Sequence, residues 1–216
     1  MSDAAPASGL RPAAIYESLR AGILDQTEAP GSTLTESAVA LRFGVTRPTA
    51  KIAIERLVAE GLLRREAHQA ARVPELTRDD IVDLYDTRAI VESAAVEVLA
   101  RGGDLPAEAL AAHRSLLAHT GDGSFAHDDI AFHRAIVSGA PSVRLPRLHA
   151  LLMGEIELCI GQVQAHHLLT ASEVAAQHQG ILDAVTAGDA PRAAALTREH
   201  ITGSRDRLLA HFDATH

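Results

Sequence analysis

Asp129 and His133 stand four residues apart, so a helix through them carries a carboxylate and an imidazole on one face. Phe125, Phe132 and Ile136 share that face, which makes it the inward one. His178 falls in the apolar stripe Val174, Ile181, Leu182 and Val185, and His200 in that of Leu196 and Leu208. Inward carboxylates and imidazoles are costly unless they satisfy one another. A shared divalent cation does so: one carboxylate with three imidazoles suits Zn, Ni or Mn and leaves coordination positions open. Periodicity alone does not single out these four. His113, flanked by Ala109, Leu110, Leu116 and Leu117, and His149, between Leu145 and Leu152, face inward by the same test. A lone inward histidine is ordinarily a hydrogen-bonded core residue. His119, His127, His166, His167, His211 and His216 read as surface or loop positions.

Arg88 lies in the stripe Ile81, Leu84, Tyr85, Val91 and Ala95. A charge there needs a partner. One reading is an ion pair with Glu92, four residues on; the other is a forked grip on a carboxylate ligand.

The elements that must position these groups are helical. The apolar residues are mainly Ala, Leu, Val and Ile, and aromatics are only 3%, a mixture that suits helices. Residues 11–26 have amphipathic spacing at Ile15, Leu19, Ile23 and Leu24. After the Pro30-Gly31 break, Thr35 can cap a short helix that stops at Phe43-Gly44, and Thr46 can cap the next, with Pro48 in its first turn. Residues 62–73 have the weak alternation of a small hairpin. Thr77 and Asp80 form a capping-box pattern at the start of a helix running to about 100. Helices are then expected at about 106–119, 124–138, 142–165, 170–187 and 190–212, with Asp104, Thr170 and Asp189 as caps. The expected organisation is a disordered leader at 1–10, a first domain at 11–73, a linker at 74–77 and a helical bundle at 78–216.

The net charge of −8, taken alone, argues against a polyanionic partner. Its distribution removes the objection: residues 1–76 hold nine basic and nine acidic residues, and residues 77–216 hold eleven and nineteen. A single cysteine, Cys159, excludes an internal disulfide and fits a reducing cytoplasm. No apolar run is long enough to span a membrane, and no signal peptide is evident.

In the first domain, Pro30-Gly31, Leu34-Thr35-Glu36, Phe43-Gly44-Val45-Thr46-Arg47 and Leu57-Val58-Ala59-Glu60-Gly61-Leu62 follow in the order of the winged helix-turn-helix of GntR regulators, which residues 15–73 resemble. The resemblance implies that the second helix of the motif enters the major groove of operator DNA, with Arg47, Thr49 and Lys51 at its contacting end. The chain departs from the usual pattern in three places. Lys51 stands where Arg is common and cannot make a bidentate guanine contact; Ser37 replaces a common Arg; Gln69-Ala70 stand where the wing tip usually has Gly.

Residues 77–213 resemble the FadR-type effector domain known as FCD, through Asp83-Leu84-Tyr85-Asp86-Thr87-Arg88 with Glu92, Asp129, His133, His178 and His200. That resemblance, and not the periodicity, selects Asp129, His133, His178 and His200 as metal ligands. It also favours Arg88 as an effector-binding residue. The implied protein is a cytoplasmic, homodimeric DNA-binding regulator and not an enzyme. It is expected to act as a repressor whose operator affinity is set by a small carboxylate bound at the metal. A sensor of the metal ion itself and a metal-dependent enzyme are the alternatives.

Overall fold

The computed structural model describes residues 11–67, 69–120 and 124–215; the expected leader at 1–10 and His216 lie outside the described residues. The chain divides into two compact units, Met1–Glu75 and Leu76–His216.

In the first unit, α1 (Pro12–Leu24), α2 (Glu36–Phe43) and α3 (Arg47–Ala59) enclose a small core of Ile15, Leu19, Val39, Ala53, Ile54 and Leu57. The helix boundaries have local causes. Thr35 Oγ1 accepts from the Ala38 amide at 3.1 Å and starts α2. Gly44 stops that helix at φ 64°, a left-handed conformation that costs a residue without Cβ nothing. Thr46 Oγ1 then accepts from the Thr49 amide at 3.4 Å, with Pro48 in the first turn of α3. The turn between α2 and α3 is therefore specified by Gly44 and Thr46. The alternation at 62–73 is realised only in part. A single bridge joins Arg64 to Arg72, and β2 (Ala71–Arg72) pairs mainly with β1 (Thr33–Leu34), antiparallel, with Thr33 opposite Arg72. Strands of two residues leave no periodicity to read, so β1 has no sequence signature.

The second unit is all helical among the described residues: α4 (Arg78–Gly102), α5 (Ala107–Leu117), α6 (Ala126–Gly139), α7 (Leu145–Ala165), α8 (Ala171–Thr186) and α9 (Ala190–Thr215). Capping boxes at Thr77/Asp80 and Thr170/Glu173 open α4 and α8, and the Asp189 carboxylate accepts from the Arg192 amide at the start of α9. Asp104 does not cap α5; Pro106 takes that position without a side-chain bond. α7 begins later than the pattern suggests, because Ser142 Oγ accepts from the Arg144 and Leu145 amides. α4 packs against α6, α7, α8 and α9, so its buried face borders every helix that carries a candidate ligand.

The N-terminal end of α5 meets α6 at Gly139. A Cβ there would lie 2.2 Å from Pro106 Cγ, on a ring that cannot rotate away. Gly102, at the end of α4, has nothing within 4 Å. Gly139→Ala should therefore destabilise the bundle by about 1–3 kcal/mol through overpacking, whereas Gly102→Ala should be neutral or slightly stabilising. Thermal melts followed by circular dichroism compare the two; equal melting temperatures would contradict the close approach.

Candidate metal centre and DNA-reading helix

α6 presents Asp129 and His133 one turn apart, α8 presents His178 and α9 presents His200; all four are buried. One ligand atom from each lies within 4.8 Å of the other three. His133 Nε2 is 3.1 Å from His200 Nε2 and 3.5 Å from Asp129 Oδ1, and His178 Nε2 is 3.3 Å from Asp129 Oδ1. Two atoms each about 2.1 Å from one ion are separated by about 3.0–3.5 Å at angles between about 90 and 110°. The three spacings just given fall in that range, within a set that spans at most 4.8 Å.

The outer nitrogens settle which way the rings present their lone pairs. His133 donates Nδ1–H to Glu92 Oε2 at 2.6 Å, and His200 donates Nδ1–H to Gln177 Oε1 at 2.6 Å. With both rings neutral, each turns an Nε2 lone pair toward the other. Facing lone pairs 3.1 Å apart repel unless a proton or a cation lies between them. Asp129 Oδ1 and both ring nitrogens of His178 have no hydrogen-bond partner, although they are buried. The His178 ring instead stacks on Phe132, with centroids 3.8 Å apart. Unsatisfied acceptors converging from three helices fit a divalent ion. The donor set, three imidazoles and one carboxylate, is the one such ions take.

Charge is arranged to the same end. Burial holds His178 neutral, with its pKa lowered to about 4, and burial together with His178 and His133 drives His200 well below its ordinary value. Burial would also depress His133, but the Glu92 carboxylate outweighs it and raises that pKa. Burial works against ionised Asp129, yet His133 and His178 beside it hold the carboxyl well below its usual range. Asp129 is thus held ionised and His178 and His200 neutral, while Glu92 draws His133 toward its protonated form.

Arg88 is buried, and its Nε donates to Glu92 Oε1 at 2.8 Å, the ion-pair arrangement that the spacing allows. Its Nη2 is buried without a partner, so a donor edge remains open. His113 bonds Gln179 at 2.9 Å and His149 bonds Glu92 Oε1 at 3.0 Å; both are hydrogen-bonded core residues outside the four-residue cluster. Periodicity missed the outer partners. Glu92 stood out as the neighbour of Arg88 and in the FCD resemblance, but not as a partner of His133, and Gln177 not at all. The available signal was chemical: every inward imidazole needs an acceptor for its other nitrogen.

In the first unit, Arg47 and Lys51 are exposed on α3, and Lys51 lies 3.5 Å from Glu55. The Thr49 hydroxyl is within 2.9 Å of the Thr46 hydroxyl, so it belongs to the cap as well as to the surface. Ile52, not singled out by the sequence, is 55% exposed beside Lys51, and Leu41 on α2 is 85% exposed. No described helix is long and apolar enough to cross a membrane.

Residues 12–73 match the gntR family of bacterial regulatory proteins, and residues 83–203 match the FCD domain. The chain is 30% identical over 206 residues to the helix-turn-helix transcriptional regulator BphR of Paraburkholderia xenovorans (strain LB400), covering 88% of this chain and 82% of that one. It is 29% identical to the transcriptional repressor GlaR of Escherichia coli (strain K12), covering 86% and 90%. Among solved structures, a GntR transcriptional regulator of Rhodococcus sp. RHA1 superposes with a TM-score of 0.72 at 26% identity, covering 92% of this chain and 97% of that one. These relatives are transcription regulators, not enzymes. With the helix-turn-helix match in the first unit and the FCD match over most of the helical second unit, the chain belongs to the GntR family of bacterial transcription regulators.

Proposed function

We propose that this regulator is a homodimeric repressor that releases its operator when a small carboxylate binds at a divalent metal ion held by Asp129, His133, His178 and His200. The observation that carries the reading is the pair of Nε2 atoms on His133 and His200, 3.1 Å apart, with the outer nitrogen of each ring bonded to Glu92 or Gln177. A bound ion would supply a Lewis-acid anchor for one oxygen of the effector. Arg88, fixed at Nε by Glu92, has its Nη2 edge open to receive the other. Repression is the activity for which GlaR is named, as is a D-xylose utilisation operon regulator of Paenarthrobacter nicotinovorans, 25% identical to this chain. Two α3 helices from a dimer reach successive major grooves of a near-palindrome, and a change in their relative pose alters affinity.

Purified protein should contain about one divalent ion per chain by elemental analysis, and His178→Ala or His200→Ala should lower that content. A carboxylate effector should raise the melting temperature of the loaded protein and do little after chelation. Folded protein that neither carries nor takes up metal contradicts the reading. A change of operator affinity on metal loading alone would make the ion itself the signal.

Acid should destabilise the metal-free bundle. Folded His178 titrates at about 4 and His200 also lies well below its ordinary value, whereas unfolded histidine takes up a proton near 6.5. Unfolding therefore binds protons as the pH falls below about 6.5, and stability drops from there toward pH 4. His133, with its raised value, opposes this with a single proton. Urea melts across that window should show the decline, and constant stability would contradict it.

On DNA, Arg47→Ala should cost roughly 1–3 kcal/mol and relax specificity at one position per half-site if Arg47 reads a guanine. Lys51→Ala should lower the salt slope with little change in specificity. Binding of both variants to an operator selected from random duplexes measures this, and unchanged affinity in both removes α3 as the reader.

A further inference from the structure

Glu92 has no exposed surface and receives three nitrogen donors from three helices: Arg88 Nε at 2.8 Å from its own helix α4, His133 Nδ1 at 2.6 Å from α6 and His149 Nε2 at 3.0 Å from α7. A bond to Arg88 alone would account for neutralising a buried guanidinium. The other two contacts are not required for that. Oε1 serves Arg88 and His149, while Oε2 serves His133 alone. One carboxylate thus sets the orientation of a guanidinium whose Nη2 is buried and unpartnered, and the tautomer of an imidazole whose Nε2 points into the four-residue cluster.

We infer that Glu92 is a positioning residue that joins the anion-gripping and metal-binding halves of the site into one unit. The inference rests on the proposed metal reading and adds a dependence to it: cation affinity should depend on a residue that never touches the cation. The chemistry of Glu92→Gln shows why. The amide keeps one acceptor oxygen and gains an NH2 donor. The oxygen belongs on the side of Arg88 and His149, where it meets a full positive charge and a second donor. The NH2 then faces His133 Nδ1, which must become an acceptor and move its proton to Nε2. That proton occupies the position a cation needs. Loss of such an outer-shell partner typically costs 10–100-fold in metal affinity.

The experiment is competition of full-length protein with a chelator for cobalt(II), followed by the visible absorption of the bound ion. Wild type should bind, and Glu92→Gln should bind about 10–100-fold more weakly while still melting cooperatively. The double variant Arg88→Met/Glu92→Leu removes the buried charge pair along with the acceptor. It should stay weak relative to Arg88→Met alone. Recovery to the Arg88→Met value would mean that Glu92 serves only to neutralise Arg88 and would overturn the inference, as would unchanged affinity in Glu92→Gln. Should either variant fail to fold, long-range proton–nitrogen NMR on the wild-type protein decides between the same alternatives: His133 protonated at Nδ1 supports the inference, and His133 protonated at Nε2 alone overturns it. Wild type that binds no cobalt sinks the metal reading itself, whereas wild type and Glu92→Gln binding equally sink only the role of Glu92.

Discussion

His133 and His200 bring two ring nitrogens to 3.1 Å with their protons committed elsewhere, one to Glu92 and one to Gln177. Much of the bundle can be understood from that constraint. The rings come from α6 and α9, their acceptors from α4 and α8, and the bond from His149 to Glu92 adds α7. A cation at the convergence would therefore tie together α6, α8 and α9 directly and α4 and α7 through Glu92. Without one, the same groups must share protons. His178 and His200 resist taking them because they are buried, and His133 accepts more readily because Glu92 is beside it. A cation there would compete with a proton for one position, which would couple the stability of the bundle to pH and to metal.

The two units solve different problems. The first has a small apolar core and places its polar chemistry outside, where Arg47 and Lys51 cost little to maintain. Its α3 is positioned by caps: Gly44 and Thr46 set the turn that precedes it, and Thr46 shares a hydroxyl contact with Thr49. The second unit buries its polar chemistry. Arg88, Glu92, Asp129, His133, His178 and His200 are all enclosed, and enclosed polar groups are tolerated only as a connected set. Truncating one member should be felt by its neighbours, whereas the exposed Arg47 and Lys51 can change with little effect on folding.

Much of this was legible in the sequence, for physical reasons that differ by element. Threonine and aspartate caps are local, so Thr35, Thr46, Thr77, Thr170 and Asp189 marked helix starts where the structure has them. Asp104 had the right residue type but no role, because Pro106 begins α5 further on. The pairing of Thr33-Leu34 with Ala71-Arg72 depends on a contact across the whole first unit, and two-residue strands carry no pattern. In the site, periodicity turned five histidines inward but could not separate those that converge from His113 and His149. Spacing placed Glu92 beside Arg88, yet its contacts with His133 and His149 come from helix packing, which a one-dimensional pattern does not encode.

The most direct test of a cation at this convergence is anomalous X-ray diffraction, measured at the absorption edge of whichever metal the purified protein contains. A single peak inside the bundle is predicted, about 2.0–2.2 Å from Nε2 of His133, His178 and His200 and from a carboxylate oxygen of Asp129. Crystals grown with added divalent metal that show no peak there, with His133 and His200 joined by a direct hydrogen bond, would contradict the account.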